Sequence, residues 1–400
     1  MSIVSDDLKQ IKKVYGEKMM QLSRTLFPTL LETQGLLFNL LKNNIAPTRS
    51  LAYDLISKNL ENDFKNYIYS LVNTNKEKIK TNKTPFELLD EAGYMVLPVL
   101  SQCEPDPDFS GTKSPNPEVP AAYDAAIELM REHNADIAIA TDPDCDRLGA
   151  VINCGNDYKL LTGNQSGAVL MNYVLTRMVE QDCMPENPVM INTIVTSTLG
   201  DKVAESFGVS VEKTLTGFKF IGDKIKEHNA KGDKKYVFGY EESYGCLIGD
   251  FARDKDAVQA SLMFCEAADY YKKQGKTLVD VLDDLSEKFG FYLDTQSSTF
   301  FRGADGNDKM NALLDDMRKN PLSEAAGIKV ASVEDFLLNP PAGFVPSNVL
   351  RYNLEDGSFI AIRPSGTEPK CKVYYCVRGN DKADAEAKLA SLKQIFDIKA

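Results

Sequence analysis

Residues 136–147, which read DIAIATDPDCDR, decide the fold class. The apolar run at 136–140 predicts a short buried strand, and the alanine-rich segment 121–133 before it has the spacing of an amphipathic helix. Three carboxylates follow at the point where the strand ends. Because open α/β sheets place their functional loops beyond strand ends, this stretch predicts an α/β fold with a site on that loop.

The alternation of helix and strand continues through the middle of the chain. Apolar strands are predicted at 189–195, 209–214 and 236–239, each followed by a helical pattern. This rhythm predicts α/β layers around a largely parallel sheet.

The pattern changes after a linker bracketed by Pro340 and Pro346. Two strands, at 358–363 and 370–377, flank a loop rich in Gly and Pro, and a helix starts at Asp381. The change predicts a separate, smaller α+β C-terminal domain. At the other end of the chain, residues 1–80 are rich in Leu, Lys and Asn and are predicted to be helical.

Composition excludes several classes of function. The 400 residues carry a formal net charge of −12, which argues against nucleic acid and anionic membrane as partners. The eight cysteines form no C-x-x-C pair, so neither a zinc site nor a disulfide framework is indicated. Asp6 and Asp7 stand where a signal peptide would be basic and then apolar, and we expect a cytoplasmic chain.

The acidic loop is the strongest candidate site. Asp142, Asp144 and Asp146 alternate along it and can converge on one hard cation, so the loop predicts a Mg²⁺ site. The calcium loop of EF-hands is excluded because no Glu stands at the position of its twelfth ligand. The alternative is an acidic turn at a strand end that binds nothing.

Three further loops carry polar groups, and each has a structural alternative. Residues 239–245, GYEESYG, suit hydrogen bonding to sugar hydroxyls or form an exposed turn. Residues 363–370, RPSGTEPK, suit a phosphate cradle or form a plain hairpin loop. Lys255, flanked by two Asp residues, either forms surface ion pairs or moves a proton near a phosphosugar.

Together, and in this order, these motifs closely resemble the α-D-phosphohexomutase superfamily, and in particular its phosphoglucomutase/phosphomannomutase family. The resemblance extends from about residue 84 to residue 377. The segments that carry it are DPDCDR at 142–147, TGFKF at 216–220, EESYG at 241–245, RDKD at 253–256 and RPSGTEP at 363–369. The connecting segments 114–117 and 161–165 also match the family pattern.

The resemblance implies a heart-shaped enzyme built of mixed α/β domains in series with a smaller α+β C-terminal domain. In this family a phosphoserine of the first domain donates its phosphoryl group to a hexose phosphate. The bisphosphate formed then turns over and returns its other phosphoryl group, which interconverts hexose 1-phosphate and hexose 6-phosphate, with glucose or mannose as the sugar. The implied divisions are 1–80, a helical remnant of the first domain and its connector; 81–187, with the metal loop; 188–305, with the sugar-binding loop; and 306–400, with the phosphate-binding loop.

The resemblance also assigns roles to single residues. Arg147 would add positive charge beside the metal, and Lys255 would be the general acid/base. The metal ligands would be Asp142, Asp144 and Asp146, and the substrate-binding residues would be Gly217, Phe218, Lys219, Glu241, Ser243, Arg363, Ser365, Gly366 and Thr367.

One family motif is absent from the printed sequence. The catalytic serine lies in a Thr-Ala-Ser-His-Asn-Pro segment, but the two histidines here, His133 and His228, stand in other contexts, and Ser5 lacks the flanking residues. We therefore expect the chain to lack most of the catalytic-serine domain. Two functions follow: a mutase whose phosphoserine comes from a separate chain or a longer gene product, or a non-catalytic phosphosugar-binding or regulatory protein.

Overall fold

The computed structural model describes residues 84–103, 106–302, 305–365 and 369–398. The helices expected in residues 1–80 lie outside these ranges. The chain divides into two compact units, 1–95 and 96–400. In the first unit, helix α1 (Pro85–Glu91) begins with a capping box, in which Thr84 and Glu87 each accept the other's backbone N–H.

The first sheet of the second unit is antiparallel and has three strands. Helix α2 (Leu100–Cys103) and a short 3₁₀ turn (Pro120–Tyr123) precede helix α3 (Asp124–His133). The strands follow in the spatial order β1 (Ile137–Thr141), β2 (Leu148–Asn153) and β3 (Tyr158–Leu160). The sheet was expected to be largely parallel, and that expectation is wrong here. Six residues separate β1 from β2, and a loop this short allows only an antiparallel return.

The middle of the chain does form the expected parallel layer. Helix α4 (Gly163–Glu180) leads into β4 (Pro188–Thr193), α5 (Thr198–Ser206), β5 (Ser210–Thr214), α6 (Phe218–Lys231), β6 (Lys235–Tyr240) and β7 (Cys246–Ile248). The sheet order is β5-β4-β6-β7, with β7 antiparallel to β6. Helices α7 (Ala257–Lys272) and α8 (Leu278–Phe289) complete this part. Val189 and Ile191 of β4 pack on Phe218, Ile221 and Ile225 of α6.

The C-terminal part is a six-stranded antiparallel sheet with two helices. Its strands are β8 (Phe291–Phe300), β9 (Glu324–Ala325), β10 (Ile328–Asp335), β11 (Leu350–Leu354), β12 (Phe359–Pro364) and β13 (Lys370–Gly379), in the order β8-β13-β12-β11-β10-β9. Helices α9 (Gly306–Lys319) and α10 (Lys382–Phe396) pack on one face, where Leu314 and Leu392 are fully buried. Burying one such side chain contributes about 1.5–3 kcal/mol.

The other face of this sheet touches the parallel layer at one end. Cys376 of β13 lies 3.7 Å from the hydroxyl oxygens of Ser197 and Thr198, at the start of α5. None of the helices in the described ranges combines the length and the apolar character needed to cross a membrane.

Candidate functional site

The acidic loop is a tight hairpin turn between β1 and β2. Asp142 Oδ1 accepts the backbone N–H groups of Asp146, at 3.1 Å, and of Arg147, at 3.0 Å. One carboxylate oxygen from each of Asp142, Asp144 and Asp146 lies within 4.8 Å of the others. Asp146 Oδ1 is buried without a hydrogen-bond partner, and burial together with the charges of the other two acids raises the pKa of Asp142. A triad of like charges with an orphaned oxygen fits a metal ion.

Lys255 reaches this loop from the segment between β7 and α7. Its Nζ lies 2.8 Å from Asp146 Oδ2 and 3.4 Å from Asp254 Oδ1. Burial opposes its charge, but the bond to Asp146 and the charges of Asp254 and Glu241 outweigh burial and raise the pKa of Lys255. The ammonium therefore holds its proton. Gly245 makes room for it, because a Cβ there would lie 2.0 Å from Lys255 Cδ.

Glu241 connects the sugar-loop motif to the turn that precedes α6. It follows β6, is only 6% exposed, and its Oε1 accepts the Gly217 N–H at 2.8 Å. Gly217 has φ +114°, a backbone conformation that favours glycine. Burial raises the pKa of Glu241, although the Gly217 N–H and the Lys255 charge act against it. Leu148 N–H donates to the Tyr244 carbonyl at 2.9 Å, which joins this loop to the acidic hairpin.

The other residues expected near the sugar differ from one another in burial. Phe218 is 2% exposed and belongs to the core, with Lys255 Nζ 5.8 Å from its ring centroid. Lys219 is exposed and lies over the ring of Phe220. Ser243 is half-buried in the loop after Glu241. Phe218 therefore belongs to the core beneath Lys255, while Ser243 stays partly exposed on the loop that Glu241 begins.

Arg363 ends β12 directly opposite Lys372 of β13. Lys370 lies two residues earlier on β13, so the three cations share one face of the sheet. The Arg363 guanidinium also acts on Tyr374 and opposes the rise that burial causes in the pKa of that phenol. Burial, reinforced by the charges of Lys370 and Arg363, lowers the pKa of Lys372.

Within the described ranges none of these three cations has a carboxylate at ion-pair distance. Ser365 N–H donates to the Lys370 carbonyl at 2.7 Å, while Gly366 and Thr367 lie outside the described residues. Three neighbouring cations that form no ion pair with a described carboxylate suit a dianion such as phosphate.

Sequence reasoning missed Glu118, Lys372 and Tyr374, and it gave Lys370 of the 363–370 loop no role of its own. Arg147 Nη1 lies 3.2 Å from Glu118 Oε1, and its Nε lies 3.5 Å from Asp142 Oδ2. Glu118 also acts electrostatically on Lys372 and opposes the fall of the Lys372 pKa, so its charge influences both Arg147 and the cations of β13. The alternation of residues 370, 372 and 374 is the one local signal that would have placed them on the face of Arg363.

Comparisons with known proteins agree with this architecture. Family models match residues 54–155 to "Phosphoglucomutase/phosphomannomutase, alpha/beta/alpha domain II", 162–289 to domain III and 310–391 to the C-terminal domain of the same family. The open form of parafusin, a phosphoglucomutase from Paramecium, superposes with a TM-score of 0.55 at 23% identity, over 74% of this chain and 50% of that one.

Two curated relatives settle the family. A phosphoglucomutase of Staphylococcus aureus is 38% identical over 309 residues, which are 74% of this chain and 54% of the relative. A phosphoglucomutase of Staphylococcus haemolyticus is 35% identical over 391 residues, 90% of this chain and 69% of the relative. The chain thus spans about half the length of the first relative, and the resemblance inferred from the motifs is confirmed. The chain belongs to the phosphoglucomutase/phosphomannomutase family.

Proposed function

We propose that this chain carries the metal, sugar and phosphate-holding parts of a hexose phosphate mutase. The reaction would interconvert hexose 1-phosphate and hexose 6-phosphate, of glucose or mannose, through a hexose bisphosphate. The observation that carries the proposal is the contact of Lys255 Nζ with Asp146 Oδ2 at 2.8 Å, beside Glu241 and Gly217. It is joined by the cluster of Arg363, Lys370 and Lys372, which forms no ion pair among the described residues. Carboxylates that would hold a cation at one end, and cationic side chains at the other, suit a sugar with a phosphate at each end.

The proposed role of each residue follows from its chemistry. Arg363 and Lys372 would hold the phosphate that does not react, with Ser365, Gly366 and Thr367 beside them, and Glu241 and Ser243 would orient the sugar hydroxyls. Lys255 would keep a proton at Nζ and deliver it to the sugar oxygen that loses the phosphoryl group. Asp142, Asp144 and Asp146 would hold Mg²⁺. When bound, this ion would neutralise charge on the phosphoryl group in transfer.

We also propose which domain carries each loop and in which compartment the protein lies. We assign the metal, sugar and phosphate loops to domains 81–187, 188–305 and 306–400, with β8 crossing from the second to pair with β13 of the third. All eight cysteines are free, which favours a reducing compartment, and we place the protein in the cytoplasm.

The activity is tested with glucose 1-phosphate, Mg²⁺ and a catalytic amount of glucose 1,6-bisphosphate, with glucose 6-phosphate as the product measured. Product formation by the 400-residue chain supports the mutase directly. If product forms only after a separately produced catalytic-serine domain is added, the donor comes from a second chain. Failure of both mixtures would contradict the proposed activity.

The second candidate is a phosphosugar-binding protein without catalysis. It is favoured by the absence of a Thr-Ala-Ser-His-Asn-Pro segment from the printed sequence. Incubation with labelled glucose 1,6-bisphosphate separates the two, because a mutase with its own donor retains a phosphoserine that mass spectrometry locates. If the chain binds glucose 6-phosphate tightly, retains no label and shows no turnover in either mixture, it is a binding protein without catalysis.

We expect Asp144→Asn to weaken Mg²⁺ binding at least about tenfold, because it removes one of three charged oxygen ligands. Asp144 is the exposed member of the triad and makes no contact that shapes the hairpin, so the fold should survive the change. Calorimetric titration with Mg²⁺ measures the effect. Asp157→Asn, an exposed acid on the β2–β3 turn, is the matched control. Equal Mg²⁺ binding by Asp144→Asn and the unmodified chain would remove the metal site from the proposal.

A further inference from the structure

Glu118 lies on a segment of backbone that is anchored against β2. Its N–H donates to Asn116 Oδ1 at 3.0 Å, so the chain turns tightly just before it. The buried Tyr123 hydroxyl donates to the Pro117 carbonyl at 3.0 Å. A Cβ at Gly149 of β2 would lie 2.1 Å from that hydroxyl oxygen and 2.9 Å from the Pro117 carbonyl oxygen, so the segment passes very close to β2. The Glu118 side chain therefore starts from a well-fixed position.

The Glu118 carboxylate holds one end of the Arg147 guanidinium. Arg147 Nη1 donates to Glu118 Oε1 at 3.2 Å. At the other end of the guanidinium, Arg147 Nε lies 3.5 Å from Asp142 Oδ2 and 3.7 Å from Asp146 Oδ1. Neither approach is a hydrogen bond, because Nε and Asp146 Oδ1 both lack a hydrogen-bond partner among the described residues. The guanidinium thus bonds to Glu118 and stops short of the acidic triad.

The two oxygens beside Arg147 Nε are the ones that other protein groups leave available. Asp142 Oδ1 already accepts two backbone N–H groups, and Asp146 Oδ2 already pairs with Lys255 Nζ at 2.8 Å. Asp142 Oδ2 and Asp146 Oδ1 therefore remain as oxygens for a metal ion. A guanidinium that closed on them would occupy both with its own positive charge and compete with the ion.

We propose that Glu118 is a positioning residue that holds Arg147 beside the metal loop and prevents it from closing on Asp142 and Asp146. The inference rests on the proposed Mg²⁺ site. Glu118 balances the Arg147 charge from outside the triad, so the two free oxygens stay available to the ion. The positive charge of Arg147 is at the same time kept next to the loop.

Titration calorimetry with Mg²⁺ on Glu118→Gln tests this role. The amide keeps the size of the side chain but loses its charge, so Arg147 would turn to the remaining carboxylates, Asp142 and Asp146. We expect the dissociation constant for Mg²⁺ to rise about tenfold, which is the usual effect of losing a group that orients the surroundings of a metal ion. Arg147→Gln removes the competing cation and should bind Mg²⁺ at least as tightly as the unmodified chain.

The double variant Glu118→Gln/Arg147→Gln distinguishes positioning from a plain effect of charge. A carboxylate near the site also attracts Mg²⁺ directly, and that attraction would be lost whether or not Arg147 is present. If Glu118 acts through Arg147, its substitution has no further effect once Arg147 is gone. We therefore expect the double variant to bind Mg²⁺ as tightly as Arg147→Gln does.

Asp124→Asn is the matched control. Asp124, the first residue of α3, pairs with Lys113 at 2.8 Å, so this change also removes one carboxylate from an ion pair with a single cation. That pair includes no member of the triad, and we expect Asp124→Asn to bind Mg²⁺ normally. Circular dichroism and denaturant unfolding of every variant establish that the fold is retained.

The outcomes separate the two levels of the argument. If the unmodified chain binds no Mg²⁺, the proposed metal site is wrong, and this inference falls with it. If Glu118→Gln binds Mg²⁺ as tightly as the unmodified chain, the metal site stands and the role of Glu118 is overturned. The role is overturned as well if the double variant binds Mg²⁺ about tenfold more weakly than Arg147→Gln, because Glu118 would then act by its charge alone.

Discussion

Gly163→Ala is expected to lower the free energy of unfolding by on the order of 3 kcal/mol and to displace the sugar loop. Gly163 is the first residue of α4, and a Cβ there would lie 2.1 Å from the Glu242 carbonyl oxygen and 2.7 Å from the Tyr244 nitrogen. Both atoms belong to backbone, which cannot rotate out of the way as a side chain does. Denaturant unfolding and glucose 6-phosphate binding measure the two effects.

Gly208→Ala separates a displaced loop from a general loss of stability. Gly208 has φ +74° and nothing within 4 Å of its hypothetical Cβ, so alanine there strains the backbone by roughly 1–2 kcal/mol without a clash. We expect this variant to bind glucose 6-phosphate as the unmodified chain does. Gly163→Ala could instead unfold at the same denaturant concentration as the unmodified chain and bind glucose 6-phosphate equally well. The close approach of the Glu242 and Tyr244 backbone to Gly163 would then be wrong.

Local spacing was enough to predict the acidic triad. Asp142, Asp144 and Asp146 occupy one turn, so no distant contact is needed to bring their carboxylates together. The strands β4 and β6 were predictable for a similar reason, since each is a largely apolar run that is buried after its first residue. β5, which reads SVEKT and is mostly half-buried, was predictable only from the alternation of helices and strands. Predictions of this kind depend on residues that are neighbours in the chain.

The direction of β1 and β2 was not predictable from hydrophobic pattern. An apolar run reads the same in a parallel and an antiparallel sheet, and only the length of the connection distinguishes them. Lys372 and Glu118 were missed for another reason. Lys372 meets Arg363 through strand register, and the alternation of residues 370, 372 and 374 indicates this contact only once the pairing of β12 with β13 is known. Glu118 meets Arg147 across 29 positions, and that contact leaves no local pattern in the sequence.

The charge distribution explains how an acidic chain could hold a phosphate. A net charge of −12 repels dianions at long range, but screening by salt limits that repulsion to about 10 Å at ordinary ionic strength. At shorter distances the cluster of Arg363, Lys370 and Lys372, which pairs with no carboxylate of the described ranges, would dominate. Net charge therefore argues against extended polyanions as partners, while leaving a small dianion free to bind on one sheet face.

Arg363→Lys is expected to raise the dissociation constant for glucose 6-phosphate at least about tenfold, which corresponds to about 1.4 kcal/mol. The substitution keeps the positive charge but removes the planar fork, which can grip two phosphate oxygens. A lysine at the end of β12 would also stand opposite Lys372 as a second compact ammonium. Calorimetric titration at one fixed salt concentration measures the loss.

Arg378→Lys is the control for this change. Arg378 lies on β13, on the same sheet face as Lys372, but it is exposed at the far end of the strand, so charge and residue type are matched while the position is not. We expect Arg378→Lys to bind glucose 6-phosphate normally. If Arg363→Lys binds as tightly as Arg378→Lys, a forked contact at residue 363 plays no part in holding the phosphate. The positive charge of the cluster alone would then have to account for its affinity.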